Sequence, residues 1–303
     1  MNAFLFPGQG SQEVGMAADL FRTDPEFRTL VQRASHCVGA DLEPICLRGP
    51  EKTLCRTVYL QPLLVAVSLG YLRHLTARGV KADVVLGHSL GELSTLAAAG
   101  VVTFEEAVIM AGKRGELMDK VASRVRGGML AVTIQDGHHL PELPDNVVIA
   151  NDNAPTQIVL SGELDALDAL ARRLGHCRKL AVAGPWHSPF MAEARREFAA
   201  WAETLTFRPP RTRLILNATG RSENNPQLIK QHVTDTLAGP VRWRMCMETL
   251  RALSPAALFE VGPGRVLAGL ARVNGFGNDV RIIHVNNLRG VELAAAQSAV
   301  GGK

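Results

Sequence analysis

Apolar and polar positions along the chain follow two textures. Ala-Phe-Leu-Phe (3–6) is a short apolar run that stops at Pro7-Gly8, the pattern of a buried strand feeding a loop. Apolar residues at helical spacing over 26–38 and 58–79 predict two helices, the second with Leu64, Val67, Ser68 and Tyr71 along one face. Asp-Val-Val-Leu (83–86) is a second buried strand that ends at Gly87. The small residues from Leu90 to Ala99 then predict a helix closed by Gly100. Thr103 followed by Glu106 is a capping-box signature for a helix running to about Lys120.

After Gly127-Gly128 the elements shorten. Met129–Ile134, Val147–Ala150, Gln157–Leu160 and Arg178–Ala183 read as strands, with a helix over Leu164–Leu174. This quick succession predicts a small α+β subdomain at 125–186, inserted into a larger α/β domain made of 1–124 and 187–303. Helices return at 189–204, 226–237 and 243–252, and strands at Leu214–Asn217, Ala257–Val261 and Val280–Val285. Strands alternating with helices predict a mainly parallel sheet covered on both faces. The small-residue tail, Ala294 to Lys303, is expected to be frayed or ordered only in its first turn.

Composition narrows this picture only a little. With 47% hydrophobic and 20% charged residues, the 303-residue chain has enough apolar material for a substantial core. A net charge of +4 permits a local basic patch but does not argue for nucleic acid, and with no long Lys/Arg-rich run no nucleic-acid partner is expected. Five cysteines, an odd number without a C-x-x-C pair, argue against a disulfide framework or a structural zinc site. No leader-like segment and no apolar run of membrane-spanning length is apparent, so a soluble, cytoplasmic protein is expected.

The strongest chemical signal is Gly87-His88-Ser89-Leu90-Gly91-Glu92, which follows a predicted strand and opens a predicted helix. That is the setting of a nucleophile elbow, in which glycines permit a sharp turn and leave the serine hydroxyl exposed. The free N–H groups and positive dipole end of the helix point at the same spot, which makes the Leu90 amide a candidate oxyanion donor. His88 sits beside the serine on a tight turn, where side chains diverge, and reads as a packing residue. His187, in Gly-Pro-Trp-His-Ser-Pro (184–189), is the better candidate base. A second loop, Pro-Gly-Gln-Gly-Ser-Gln (7–12), also follows a buried strand, and Gln9 offers another backbone donor. Arg114, in Gly-Lys-Arg-Gly-Glu-Leu-Met (112–118), reads by position alone as a solvated arginine. If it faced the serine, its planar fork would bind a carboxylate bidentately.

Together these segments resemble the malonyl-CoA:acyl carrier protein transacylase family. The matching stretches, in the family's order, are 6–12, Gln61-Pro62, 87–92, 113–118, Asn-Ala-Pro-Thr-Gln-Ile-Val-Leu-Ser-Gly (153–162), Trp-His-Ser-Pro-Phe-Met (186–191), Pro-Val-Arg-Trp (240–243) and Glu-Val-Gly-Pro-Gly (260–264). The resemblance implies a large domain with an α/β-hydrolase-like core, a small ferredoxin-like domain and an active site between them. It further implies that Ser89 is acylated, His187 is its base, the Gln9 and Leu90 amides form the oxyanion hole, and Arg114 grips the malonyl carboxylate. Gln61 would line the site. A backbone carbonyl near Thr236, where relatives carry glutamine, would orient the histidine. Malonyl-CoA and an acyl carrier protein are the implied partners, and no metal or redox cofactor is implied.

Three departures from the family pattern stand out. Trp186 occupies a place where malonyl-selective relatives have phenylalanine, and it is expected to line the substrate site and exclude an α-methyl branch. The stretch Asp136 to Asp145 is too short and Pro-interrupted for the helix that relatives have there. The segment after 264 is atypical as well. These leave room for a specialised branch such as the transacylase subunit of a malonate decarboxylase, beside fatty-acid and polyketide enzymes. The rival reading is a serine esterase or thioesterase, which would place an acid between serine and histidine and the histidine late in the chain. A carrier-protein docking module without activity is a third reading, against which the intact set of Ser89, His187, Arg114 and both oxyanion loops argues.

Overall fold

The computed structural model describes residues 1–135 and 140–300, with side chains placed through Ser298. Among the described residues, ten strands form two sheets. Along the chain they are β1 (Asn2–Phe6), β2 (Val84–Gly87), β3 (Gly127–Thr133), β4 (Val147–Ala154), β5 (Gln157–Glu163), β6 (Cys177–Lys179), β7 (Arg213–Ile215), β8 (Ser222–Glu223), β9 (Ala257–Val261) and β10 (Arg281–Val285).

The six-stranded sheet has the order β10-β9-β1-β2-β7-β8 and is parallel except for β8 at its edge. β1 lies at its centre, and its side chains alternate between two apolar layers. Phe4 and Phe6 join the larger core, while Ala3 and Leu5 join a second core with Trp243, Leu258 and Leu267 on the opposite face. Burial on both faces is the reason for an unbroken apolar run in place of an alternating one.

The four-stranded sheet is antiparallel, with the order β4-β5-β3-β6. Numbered by their own sequence these strands run 2-3-1-4, the ferredoxin-like order, with the helix Leu164–Leu174 as the second crossover. The first crossover falls at 134–146; among its described residues there is no helix, and 136–139 lie outside the described residues. An isolated β-bridge, Asn151 to Val241, joins this sheet to the rest of the chain, beside side-chain bonds from Arg244 to Asp152 and from Asn274 to the Asn153 carbonyl.

Some boundaries differ from the sequence expectation. The strand expected over Arg178–Ala183 is β6, Cys177–Lys179; beyond Leu180 the chain must leave the sheet to reach Trp186 and His187. The tail, expected to be frayed from Ala294 on, is a helix over Leu288–Val300, anchored where Arg78 pairs with Glu292 and where Val291 and Ala294 enter the core; 301–303 lie outside the described residues. Apolar contact on one face, absent from a purely local reading, orders it. Short helices at Ala18–Thr23, Leu42–Arg48, Glu51–Leu54 and Val266–Val273 were not evident in the pattern. Among the described residues, no helix is long and apolar enough to cross a membrane.

Candidate active site

The register of the central strands brings two loops together. β1 and β2 are parallel neighbours with Phe6 opposite Gly87, so the loops leaving them emerge side by side at the carboxyl ends of the strands. Open α/β sheets hold ligands in the crevice at that edge. The loops touch backbone to backbone. A Cβ on Gly8 would lie 2.5 Å from the His88 carbonyl oxygen, and one on Gly91 would collide with the Phe6 carbonyl. Side chains at either position would force the loops apart.

Between these contacts Ser89 takes a left-handed conformation with φ of 52°, and the helix Gly91–Ala98 follows. A non-glycine residue held at such an angle costs about 1–3 kcal/mol, a strain that surrounding contacts must hold in place. The Ser89 amide donates to Asn217 Oδ1 at 2.7 Å and is therefore occupied. Among the described residues, the amides of Gln9 and Leu90 have no hydrogen-bond partner, which leaves both available to an incoming oxyanion.

His187 meets the serine from the other side. Its Nε2 lies 2.7 Å from Ser89 Oγ, and its Nδ1 lies 2.6 Å from the carbonyl oxygen of Thr236. A carbonyl only accepts, so the proton sits on Nδ1 and the Nε2 lone pair faces the hydroxyl. Thr236 is the C-cap of the helix Pro226–Asp235. Its carbonyl is one that a helix end leaves free, at the negative pole of the dipole. A partial negative charge thus stands where a serine protease would hold a carboxylate. His187, like Ser89, has a positive φ, 59°.

Arg114 projects from the helix Phe104–Ala122 and is 4% exposed, contrary to its reading by position. Gly115 beside it allows this: a Cβ there would sit 2.9 Å from the Thr57 carbonyl, so the helix packs tightly on Thr57–Ala77 and its arginine is carried inward. Arg114 Nη2 donates to Ser89 Oγ at 3.3 Å. Among the described residues, its guanidinium forms no ion pair with a carboxylate.

Burial dominates the electrostatics. It draws the His187 pKa down to about 3, helped by the charge of Arg114 and opposed by the Thr236 and Gly239 carbonyls. The imidazole is therefore neutral and able to accept a proton. Burial lowers Arg114 to about 10, still cationic at neutral pH, and raises the Glu92 carboxyl to about 8. Among the described residues, no group of three or more His, Cys, Asp or Glu could hold a metal ion.

The remaining candidates sit around this centre. Gln61 is buried and donates to Met118 Sδ at 3.3 Å one turn along from Arg114, and its side-chain oxygen has no partner among the described residues. The outer edge of the Trp186 ring lies near Gly184 and Ala122, two turns along the helix from Arg114. His88 turns away from the serine; its Nε2 meets Asn153 Oδ1 at 2.8 Å and its ring packs edge-on to Trp243. Two residues of the site were missed in the sequence. Asn217 and Glu92 lie beneath the elbow, and the available signal was Glu92 itself, a lone carboxylate among the small apolar residues of its helix.

An acyl transferase domain family model matches residues 3–275. The chain is 32% identical over 305 residues to a malonyl CoA-acyl carrier protein transacylase of Bacillus subtilis, covering 96% of this chain and 95% of that protein. A malonyl-CoA:acyl carrier protein transacylase from Xanthomonas oryzae superposes with a TM-score of 0.90 at 33% identity, over 98% of each chain. A malonyl-transacylase solved in complex with its type II polyketide acyl-carrier protein superposes with a TM-score of 0.87 at 30% identity, over 98% of this chain and 99% of that one.

Proposed function

Since the chain belongs to the acyl transferase domain family, we propose that it moves a malonyl group from malonyl-CoA to the phosphopantetheine thiol of an acyl carrier protein of fatty-acid or polyketide synthesis. The observation that carries this reading is the buried Arg114 guanidinium, 3.3 Å from the nucleophile and without a carboxylate partner among the described residues. A substrate bearing a free carboxylate on its acyl group supplies the missing charge.

In this reading the reaction is ping-pong. His187 Nε2 takes the Ser89 proton as Oγ attacks the thioester carbonyl. The amides of Gln9 and Leu90 receive the oxyanion, and the Thr236 carbonyl steadies the imidazolium. Collapse of the tetrahedral intermediate breaks the carbon–sulfur bond, His187 returns the proton, and coenzyme A leaves. The carrier thiol then gives its proton to His187 and attacks the malonyl-serine ester, restoring Ser89. Gln61 lines the acyl pocket, and Trp186 restricts it from the side of the His187 loop. Residues 125–186 act as an inserted subdomain on a catalytic domain formed by 1–124 and 187–303.

The late histidine and intervening acid of a serine esterase are not part of this arrangement, because a helix-end carbonyl orients the base. The test is the fate of the malonyl group. With holo-carrier protein present, label should pass from malonyl-CoA to the carrier with little free malonate. Release of malonate at the same rate with and without carrier would make water the acceptor and overturn the reading.

A further inference from the structure

Beneath the elbow lies a chain of hydrogen bonds that joins nucleophile to base through groups that do not touch the reacting atoms. The Ser89 amide donates to Asn217 Oδ1 at 2.7 Å, and Asn217 Nδ2 donates to the Gly87 carbonyl at 2.8 Å, so this asparagine clamps both sides of the turn. The Asn217 amide donates to Glu92 Oε1 at 2.7 Å. The other oxygen of Glu92 lies 3.3 Å from the hydroxyl of Thr236, the residue whose carbonyl holds His187. Glu92 is 2% exposed, Asn217 is fully buried and Thr236 is 4% exposed.

We infer that Glu92 is a positioning residue that, as a neutral acid, ties the Ser89 turn to the Thr236 carbonyl and so sets the distance between nucleophile and base.

The proton count supports a neutral acid. Thr236 has one hydroxyl hydrogen, and the Val233 carbonyl at 2.8 Å takes it. That one hydrogen faces two acceptors, since Glu92 Oε2 also lies within its reach at 3.3 Å, and a proton on Glu92 lets both contacts be hydrogen bonds at once. A carboxylate in the first turn of a helix ordinarily serves by its charge at the surface. Here a charge would be buried close to the point where the oxyanion forms and would oppose it. Among the described residues, Arg114 on the neighbouring helix and Cys246 on the helix Trp243–Ala252 are the titratable groups that act on Glu92, and His187 is joined to it only through Thr236. Arg114 favours a charged Glu92, but among the described residues the two form no ion pair, and burial outweighs that attraction; the Cys246 thiol, kept protonated by burial, offers no positive charge. Thr236 thereby acquires a use for its side chain as well as its carbonyl.

The test rests on the acyl-transfer reading and uses the rate of malonyl-enzyme formation after rapid mixing with malonyl-CoA. It compares wild type, Glu92→Leu, Glu92→Gln and Thr236→Val, with melting temperatures measured alongside. Glu92→Leu cuts both links, and a displacement of the pair by an ångström or so should slow acylation about 100-fold while KM stays within about twofold. Glu92→Gln keeps both an acceptor for Asn217 and a donor for Thr236, so it should stay within about threefold of wild type at neutral pH. The glutamine variant should also lose the alkaline decline expected of wild type near about pH 8, where Glu92 ionises. If Glu92→Leu does not fold, Thr236→Val decides. It leaves the carbonyl in place and should slow acylation by about tenfold. A leucine or valine variant as fast as wild type overturns the inference. So does a folded glutamine variant as slow as the leucine one. Failure of wild type itself to form an adduct would instead overturn the acyl-transfer reading, so the two failures are distinguishable.

Discussion

Replacing Arg114 with alanine removes a cation that the folded chain leaves without a carboxylate among its described residues. The guanidinium is 4% exposed, so a bound malonyl carboxylate facing alanine would be desolvated and unpaired. Breaking a buried pair in this way costs about 3–5 kcal/mol. At about 1.4 kcal/mol per decade, kcat/KM for malonyl-CoA should fall by about two to three and a half orders of magnitude. Acetyl-CoA has no carboxylate to lose, and in wild type it leaves the guanidinium unpaired. Its transfer should therefore hold or rise in the variant, and the preference for malonyl should collapse.

A second readout separates this from general damage. The neutral imidazole of His187 is the working form, so activity is present above its pKa and lost as pH falls through it. Burial first, and Arg114 second, hold that pKa down at about 3. Without Arg114 the burial remains but the second cause goes, and the acid limb of acetyl transfer should move to higher pH. The assay is release of coenzyme A with holo-carrier protein as acceptor, for each donor across pH. A variant that keeps its malonyl preference, or whose acid limb does not move, would refute the role.

Gly91→Ala should lower the melting temperature and abolish transfer, since the added Cβ meets the Phe6 carbonyl and overpacking of this kind costs about 1–3 kcal/mol; wild-type stability and activity would contradict the loop contact. In competition, malonyl-CoA should be preferred over methylmalonyl-CoA by at least about tenfold, and equal rates would remove Trp186 as a restriction on the acyl pocket. Glu92 also makes the stability of the fold depend on pH. Its folded pKa is about 8, above the ordinary 4.5, so between those values the folded state binds more protons and wild type loses stability as pH rises. Glutamine does not titrate, so the melting temperature of Glu92→Gln relative to wild type should climb from about pH 5 to about pH 8 and level off beyond; a constant difference would show that Glu92 is charged throughout.

The elbow was legible because its determinants are local. An apolar strand, glycines around the serine and a small-residue helix all lie within about twenty residues, and β2 and the helix Gly91–Ala98 stand as the pattern indicated. Arg114 was not legible from position, because its burial depends on Gly115 meeting the Thr57 carbonyl of another helix. Only the ordered set of family-like segments singled it out. Asn217 and Glu92 act through contacts that span more than a hundred residues of chain, and an asparagine at a strand end carries no mark of such a task. The terminal helix escaped for a related reason. Its small residues have weak amphipathicity, and its order comes from packing Val291 and Ala294 into the core.

The central claim is that Ser89 carries the acyl group. The most direct measurement is the intact mass of the protein after brief mixing with malonyl-CoA, for wild type and Ser89→Ala. A single malonyl adduct on wild type and none on the variant is the predicted result. An adduct that persists in Ser89→Ala, or release of coenzyme A by wild type with no adduct even on the shortest mixing, would contradict it.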